Sequence, residues 1–221
     1  MSNKKDIIDR FKKMYVAAAS DAADRIGVGS VSMDYGIGPM TLTNRIVGFA
    51  NTAKLKRAPK DRPYEEDQMG LFMSLASKSK QYDVIILNMA GSYDCAGWGQ
   101  ITSRIAKSSG AVGTVVDGMI RDIIEVDKMD YPVFARGFHP ATIRGRLIVD
   151  SLGEPTDCGG LTVHPEDLIF GDRDGVVVIP RDRVEDVLAS AEEVVGIDTW
   201  WDENLKKGKD PQELQKEKPM P

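Results

Sequence analysis

Three short apolar runs alternate with two helical patterns between residues 83 and 135, and this alternation limits the possible folds most strongly. The runs cover residues 83–89, 112–116 and 132–135. Runs of this length that are apolar throughout their interior indicate strands buried on both faces. Strand, helix, strand, helix, strand in that order predicts parallel strands joined by right-handed crossovers. The chain is therefore expected to be an α/β protein with a mostly parallel βαβαβ core.

The flanking segments supply further elements. Helical spacing predicts an amphipathic helix over residues 6–19, a short helix over 22–26 and another helix over 182–195. A strand is predicted over 45–55, and short strands separated by turns over 145–180. A helix is predicted to begin at Pro63, with carboxylates in its first turn and an apolar face toward the sheet. Those carboxylates are Glu65, Glu66 and Asp67, and the apolar face is Leu71, Phe72, Leu75 and Ala76.

Length and composition predict one domain over residues 1–205, followed by a polar tail over 206–221 whose last ten residues are mobile. The net charge of −5 argues against a nucleic-acid-binding or anionic-membrane-binding protein, because both need a cationic surface. No run approaches the roughly 20 apolar residues of a membrane helix. The two cysteines, Cys95 and Cys158, match no metal-binding or disulfide pattern. A cytoplasmic protein without nucleic-acid or membrane partners is expected.

A glycine-containing loop leads into the first helix of the predicted core. Gly91, Gly97 and Gly99 allow backbone amides to approach a ligand closely, and the helix begins near Gln100. Unpaired amides at a helix N-terminus favour a carboxylate or phosphate. The same residues are equally consistent with a flexible loop that binds nothing.

Arg121 and Asp122 follow the second predicted strand and a predicted turn at Asp117-Gly118. An Arg at this edge of a sheet can bind a carbonyl and a carboxylate together, and an adjacent Asp can bind a hard divalent cation or its waters. Taken alone, the pair is also consistent with a helix-capping Asp and a solvent-facing Arg. Ligands of parallel sheets gather at the carboxyl ends of the strands, where both residues are expected.

Four motifs, in this order along the chain, resemble the RraA-like family. They are residues 97–100 (GWGQ), 115–122 (VVDGMIRD), 132–137 (PVFARG) and 168–180 (LIFGDRDGVVVIP), and the resemblance extends from about residue 20 to about residue 208. The family contains class II pyruvate aldolases that cleave 4-hydroxy-4-methyl-2-oxoglutarate and 4-carboxy-4-hydroxy-2-oxoadipate. It also contains the regulator of ribonuclease E, so the motifs specify the family better than the substrate.

The resemblance implies a layered β/β/α sandwich that forms a homotrimer or homohexamer with sites between subunits. It implies that Arg121 binds the carbonyl of a pyruvate-like group and stabilises its enolate, and that Asp122 anchors Mg²⁺ or Mn²⁺ largely through water. Backbone amides of Gly99, Gln100, Ile101 and Thr102 would hold the carboxylate of a small 2-oxo acid. Retro-aldol cleavage and oxaloacetate decarboxylation pass through the same enolate. The expected enzyme is a carbon-carbon lyase, and the alternative is a non-catalytic regulator.

Two positions depart from the aldolases of the family. Those enzymes have an acidic residue twenty-one positions before the motif Arg, where this chain has the neutral Gln100. They also have a Glu that reaches a neighbouring subunit's site, about ten residues before a Gly. Counting back from Gly208 finds the shorter Asp198, which we predict as the corresponding catalytic residue.

Several other residues have alternative interpretations. The basic stretch from Lys54 to Arg62 suits a solvated loop or a rim that attracts anions. His139 and His164 suit turns or proton transfer, and Asp172 and Asp174 suit a capped turn or metal ligation. Cys95 lacks a partner that would make it a nucleophile. Trp200 and Trp201 are predicted as exposed residues that form either a subunit contact or a hydrophobic wall over the substrate.

Overall fold

The computed structural model describes residues 3–60 and 68–220. Within these ranges, no helix has the length and apolar character needed to cross a lipid bilayer. The helices are α1 (Lys4–Phe11), α2 (Val16–Arg25), α3 (Met69–Ser77), α4 (Gln100–Ser108), α5 (Ile123–Asp127), α6 (Val184–Lys206) and α7 (Pro211–Glu217). The strands are β1 (Gly38–Pro39), β2 (Ile46–Arg57), β3 (Asp83–Asn88), β4 (Ala96–Trp98), β5 (Gly113–Ile120), β6 (Val133–Phe138), β7 (Leu147–Leu152), β8 (Thr156–Cys158), β9 (Leu161–Val163), β10 (Leu168–Asp172) and β11 (Gly175–Ile179).

The central sheet has the order β1-β6-β5-β3-β2-β10-β11, with β4 paired to β5 and β7 paired to β2. Strands β2, β3, β5 and β6 run parallel, and β1, β7 and β10 pair with them antiparallel. Strand β11 pairs antiparallel with β10. The segment β3-α4-β5-α5-β6 is the predicted βαβαβ core. The mostly parallel α/β fold expected from the apolar runs is therefore confirmed.

The buried side chains of β3 alternate between two cores. Ile85 and Leu87 face a core shared with α3 and α4. Val84 and Ile86 face a second core, which also contains Ile169 of β10 and other side chains of β11 and β9. The sheet therefore curves back over itself, with helices outside it. A third core packs α1, α2 and α6 against β2, β10 and β11.

The N-terminal helices divide at a different place from the predicted one. Helical spacing predicted one helix over residues 6–19 and another over 22–26, whereas α1 ends at Phe11 and α2 begins at Val16. Long-range contacts set this break. The Val16 amide donates to Asp172 Oδ2 at 2.9 Å, and the Arg45 guanidinium donates to the carbonyls of Phe11 and Met14. Asp172 therefore caps backbone amides, as the turn interpretation predicted.

Strand β5 continues through the predicted Asp117-Gly118 turn and ends at Ile120, so the predicted turn is wrong. The Asp117 carboxylate accepts from the Arg136 guanidinium and from the Gly159 amide, which hold this part of the strand in place. Gly118 provides space rather than a turn, because a Cβ atom there would lie 2.3 Å from Met89 Sδ. The next strand, β6, is likewise longer than predicted.

Helix α3 is described from Met69 onward, and the predicted start at Pro63, with Glu65, Glu66 and Asp67, lies outside the described residues. Three of the four residues predicted to face the sheet are buried: Phe72, Leu75 and Ala76. Leu71 is 45% exposed, so its predicted burial is wrong. The helix packs against α4, and this contact places α3 beside the site described below.

The C-terminal region contains more structure than the predicted mobile tail. Helix α6 continues to Lys206, and α7 then packs back on it through the fully buried Leu214. The Trp201 indole donates to the Lys218 carbonyl at 2.9 Å and is only 6% exposed. The predicted exposure of Trp201 is therefore wrong, because α7 covers it. The polar composition of residues 206–221 gives no indication of this packing, because the packing depends on one leucine.

Replacing Leu214 by alanine should lower the free energy of unfolding by about 2 kcal/mol, because a buried leucine side chain is removed and a cavity is left. Urea denaturation followed by tryptophan fluorescence measures this change. Leu205→Ala is the matched control, since Leu205 on α6 is 45% exposed and its truncation should cost less than about 0.5 kcal/mol. Equal effects of the two substitutions would contradict the packing of α7.

Candidate active site

A cavity of about 410 Å³ opens at the carboxyl end of β5, beside the short strand β4 and the N-terminus of α4. All residues predicted to bind substrate, and the predicted metal ligand, line it. Its walls come from four segments of the chain that are distant in sequence. The lining residues are Met69, Phe72, Met73, Ala96, Gly97, Trp98, Gly99, Gln100, Ile101, Thr102, Arg121, Asp122, Thr142, Ile143 and Arg144.

Arg121 and Asp122 occupy the link between β5 and α5. The Arg121 amide donates to the Trp98 carbonyl at 3.0 Å, which joins this link to β4. Asp122 has φ 59° and ψ 30°, in the left-handed region that few residues other than Gly, Asn and Asp adopt. A left-handed residue other than glycine costs of order 1 kcal/mol or more, and such residues cluster at functional sites. This conformation turns the Asp122 carboxylate toward α4.

Gly99 allows the close approach of α4 to the Arg-Asp pair. A Cβ atom at this position would lie 2.7 Å from Asp122 Oδ2 and 3.2 Å from Arg121 Cγ. Its φ of −171° is extended, so the requirement for glycine here is space and not backbone freedom. With this space available, the Gln100 amide donates to Asp122 Oδ2 at 3.2 Å. The absence of a side chain at Gly99 therefore allows the Asp122 carboxylate to take this position.

The first turn of α4 has two amides available for an anion, not the four predicted. The Gly99 amide donates to Thr102 Oγ1 at 3.1 Å, and the Gln100 amide is used by Asp122. Among the described residues, no acceptor pairs with the amides of Ile101 and Thr102. These two donors, at the positive end of the helix dipole, are available to hydrogen-bond an anion such as a carboxylate.

Two hydroxyl groups fix the shape of this turn, and sequence reasoning assigned neither a role. Thr102 Oγ1 donates to the Gly99 carbonyl at 3.0 Å, and Ser103 Oγ donates to the same carbonyl at 2.8 Å. The Trp98 indole in turn donates to Ser103 Oγ at 2.8 Å. A Ser or Thr near a helix start is the available sequence signal, since such residues bond to nearby backbone groups.

The Arg121 guanidinium lies at the mouth of the cavity. Its Nη1 donates to the Pro140 carbonyl at 3.5 Å, and its Nε lies 3.7 Å from Asp122 Oδ2. Both side chains are 40% exposed, so solvent weakens their mutual attraction. A guanidinium has five N–H donors. Arg121 therefore retains donors for the carbonyl or carboxylate of a ligand.

Asp122 is the one carboxylate among the described residues that line the cavity. Within the described ranges, no three or more His, Cys, Asp and Glu side chains are grouped so that they could hold a metal ion. Its Oδ1 atom accepts no hydrogen bond from a described residue, so it can face a cation or water. Mg²⁺ retains several waters and commonly binds one or two carboxylates plus its substrate. The donor set fits such a water-rich ion and not a protein cage. Gln100 can orient one water through its side-chain carbonyl.

Asp198 does not line this cavity. It lies on α6, where its carboxylate accepts the hydroxyl hydrogen of Tyr15. Its predicted role in a neighbouring subunit's site stays a prediction.

The remaining candidates have structural roles in the described chain. Cys95 is fully buried, and burial raises the pKa of its thiol, which opposes a nucleophilic role. Arg57 forms a two-point ion pair with Asp94, with both N–O distances 2.9 Å, and Lys56 pairs with Asp150 at 2.8 Å. Lys54, Lys56 and Arg57 lie on β2 and not in a loop, and Lys56 and Arg57 have partners within the chain. Arg62 lies outside the described residues. Neither histidine lines the cavity.

The fold and site together define a mixed α/β protein whose cavity, at the carboxyl end of a parallel strand, is lined by the first turn of α4 and by Arg121 and Asp122. The chain belongs to the RraA-like family, whose model, described as Aldolase/RraA, matches residues 16–178. The predicted family is thus confirmed.

Similar proteins include an aldolase-named relative and a much longer protein. The chain is 32% identical over 186 residues to "Putative 4-hydroxy-4-methyl-2-oxoglutarate aldolase" of Halalkalibacterium halodurans, covering 84% of this chain and 82% of the relative. It is 31% identical over 173 residues to protein DlpA of Legionella pneumophila, covering 78% of this chain but 27% of DlpA. The crystal structure of an uncharacterized protein from Pseudomonas syringae has a TM-score of 0.85 and 26% identity, covering 97% and 95% of the two chains.

Proposed function

We propose that this protein is a divalent-metal-dependent lyase that cleaves or decarboxylates a small 2-oxo acid through a pyruvate enolate. One observation carries the proposal: the amides of Ile101 and Thr102 and the Arg121-Asp122 pair line the same cavity. A 2-oxo acid has a carboxylate next to a carbonyl, so it needs adjacent anion and carbonyl donors. Membership of a family described as Aldolase/RraA supports the same chemistry.

Different residues of the cavity bind different groups of the substrate. The amides of Ile101 and Thr102 hold the C1 carboxylate, and the Arg121 guanidinium donates to the C2 carbonyl oxygen. When the bond between C3 and C4 breaks, its electron pair forms the C2–C3 double bond of the enolate and negative charge develops on the C2 oxygen. In retro-aldol cleavage C4 becomes a carbonyl as its hydroxyl proton passes to solvent, and in decarboxylation C4 leaves as CO2. Protonation of C3 by solvent then gives pyruvate. Because the Arg121 donors are already in place, they stabilise the charge on the C2 oxygen more than they stabilise the neutral carbonyl.

Asp122 and, through water, Gln100 would hold Mg²⁺ or Mn²⁺, which when bound withdraws electrons from a chelated 2-oxo acid. Gly99 keeps the Asp122 carboxylate within reach of that position. The Gln100 amide fixes one carboxylate oxygen, which leaves the other for the ion.

The proposal is tested by pyruvate release from 4-hydroxy-4-methyl-2-oxoglutarate and from oxaloacetate, with Mg²⁺ or Mn²⁺ and with excess EDTA. We expect metal-dependent turnover of at least one substrate and its loss in EDTA. Absence of turnover with both of these and with a panel of related 2-oxo acids would exclude the lyase.

The second candidate function is a non-catalytic regulator that resembles the ribonuclease E regulator of the family. Gln100 favours it, because a neutral side chain at this position is a weaker partner for metal-bound water than a carboxylate. Retention of Arg121 and Asp122 in one cavity favours the lyase. The pyruvate assay separates the two functions, since a regulator shows no metal-dependent turnover.

Replacing Gln100 by aspartate should raise the affinity for Mg²⁺ by about tenfold, because outer-shell partners typically change metal affinity by 10- to 100-fold. The measurement is the Mg²⁺ concentration that gives half-maximal turnover, together with calorimetric Mg²⁺ binding. Gln81→Asp, in the exposed segment before β3, is the matched control. If the Mg²⁺ affinity of both variants equals that of the wild-type protein, residue 100 does not contact the metal-bound waters.

We further propose that the protein acts as a homotrimer or homohexamer and that Asp198 of one subunit reaches the cavity of another. Asp198 is partly exposed and pairs with the exposed Tyr15, which supports a role outside the core of its own chain. Light scattering tests the assembly, and mixing Asp198→Asn subunits with Arg121→Ala subunits tests the shared site. Recovery of turnover in the mixture is expected if each site draws on two chains.

A further inference from the structure

A chain of hydrogen bonds runs from the buried Trp98 indole to the Asp122 carboxylate. Trp98 is 2% exposed and Ser103 is fully buried. The Trp98 indole donates to Ser103 Oγ at 2.8 Å, and Ser103 Oγ donates to the Gly99 carbonyl at 2.8 Å. The next peptide group along the chain is the Gln100 amide, which donates to Asp122 Oδ2 at 3.2 Å. The chemistry proposed above uses neither the indole nor the Ser103 hydroxyl.

The peptide bond between Gly99 and Gln100 connects the two ends of this chain, because its carbonyl and its N–H belong to one rigid plane. The structure describes no cis peptide bond, so these two groups point in opposite directions. A rotation that moves the Gly99 carbonyl away from Ser103 therefore also moves the Gln100 N–H away from Asp122. A hydrogen bond to the carbonyl also polarises the peptide group and strengthens its N–H as a donor.

Ser103 is the donor whose direction is fixed without a ligand. The Trp98 indole uses an acceptor position of Ser103 Oγ, and the single hydroxyl hydrogen is directed to the Gly99 carbonyl. Thr102 Oγ1 also donates to this carbonyl, at 3.0 Å, but it accepts from the Gly99 amide and belongs to a residue that lines the cavity. The Trp98 ring is itself held by edge-to-face packing on Phe72, with ring centroids 6.2 Å apart.

We infer that Ser103, oriented by Trp98, is a positioning residue that holds the Asp122 carboxylate in the orientation that binds the divalent cation. The inference rests on the proposed lyase function, which assigns the ion to Asp122. While the Gln100 amide holds Oδ2, the Oδ1 atom accepts no hydrogen bond from a described residue. Without Ser103, the peptide plane and the carboxylate gain freedom that the ion must then restrict, so the ion binds more weakly.

The first test is calorimetric titration of the wild-type protein and of Ser103→Ala with Mn²⁺. The Kd for Mn²⁺ should rise about tenfold in Ser103→Ala, because removing a partner that orients a metal ligand typically costs 10- to 100-fold in affinity. The Mn²⁺ concentration that gives half-maximal pyruvate release should rise by the same factor.

The second test follows the peptide group itself in the metal-free protein. Hydrogen exchange of the Gln100 amide is measured by NMR on ¹⁵N-labelled protein. Loss of the hydrogen bond to Asp122 should make this amide exchange at least about fivefold faster in Ser103→Ala. The Ile101 amide is the internal reference, because no acceptor pairs with it among the described residues and its rate should change little.

Two control variants separate positioning from a general loss of stability. Ser108→Ala removes a hydroxyl group from the exposed end of the same helix. Leu214→Ala destabilises the protein at a residue that does not line the cavity. Both should keep the Mn²⁺ affinity within about twofold of wild type, because distant sites act independently. If circular dichroism shows that Ser103→Ala is unfolded, Ser103→Cys replaces it, since a thiol is a weak donor and should change both measurements in the same direction.

The outcomes separate the inference from the function on which it depends. If the wild-type protein releases pyruvate but Ser103→Ala keeps the wild-type Mn²⁺ affinity or the wild-type Gln100 exchange rate, the positioning role alone is overturned. An equal loss of Mn²⁺ affinity in Leu214→Ala also overturns it, because the effect would then follow stability. If the wild-type protein neither binds Mn²⁺ nor releases pyruvate, the lyase fails and the positioning role fails with it.

Discussion

Replacing Arg121 by alanine should lower metal-dependent pyruvate release by about 10²- to 10³-fold, the usual effect of removing one donor from a developing oxyanion. The loss should fall mainly on kcat, because the negative charge on the C2 oxygen develops only as the C–C bond breaks. Steady-state kinetics with saturating Mg²⁺ measure the change. Circular dichroism should show an unchanged fold, since the Arg121 side chain is 40% exposed.

Two further variants define what Arg121 contributes. Arg121→Lys keeps the charge but loses the planar, two-point donor arrangement, so it should recover only part of the activity. Arg104→Ala is the matched control, because Arg104 is exposed on α4 and does not line the cavity. Full activity of Arg121→Ala would show that another group stabilises the enolate.

Replacing Asp122 by asparagine should remove most activation by Mg²⁺ or Mn²⁺, with a loss of at least about 10²-fold at metal concentrations that saturate the wild-type protein. Asparagine adopts the left-handed conformation readily and still offers an acceptor to the Gln100 amide. The variant therefore changes the charge with little change in backbone geometry. Calorimetric titration with Mn²⁺ measures the metal affinity directly.

Glu125→Gln provides the control for this experiment. Glu125 lies on α5, three residues after Asp122, and pairs with Lys128 in solvent rather than with the cavity. Its neutralisation should leave metal affinity within about twofold of wild type. Equal Mn²⁺ affinity in the wild-type protein and in Asp122→Asn would show that the ion is held elsewhere.

The sequence alone determined the parallel core and the approximate position of the site. Local patterns carry that information, because a strand buried on both faces must be apolar along its length, and α4 must begin where its apolar spacing begins. The order of strands and helices then placed Arg121 and the first turn of α4 at the same edge of the sheet. Four motifs narrowed this arrangement to one family.

Contacts between distant residues decided what local patterns could not. The break between α1 and α2 depends on Asp172, which is 156 positions from Val16. The burial of Trp201 depends on α7, whose composition is polar apart from Leu214. Neither contact leaves a periodic signal in the sequence.

The tertiary structure also decided which groups of the site are available to a ligand. The sequence offered four amides and three glycines as equivalent candidates. In the folded chain, Asp122 uses the Gln100 amide, Thr102 uses the Gly99 amide, and the space at Gly99 is what admits the Asp122 carboxylate. Met69, Phe72 and Met73 of α3 line the cavity because α3 packs on α4. Sequence patterns specify which residues form an element, whereas the packing of the elements determines which atoms remain free to bind.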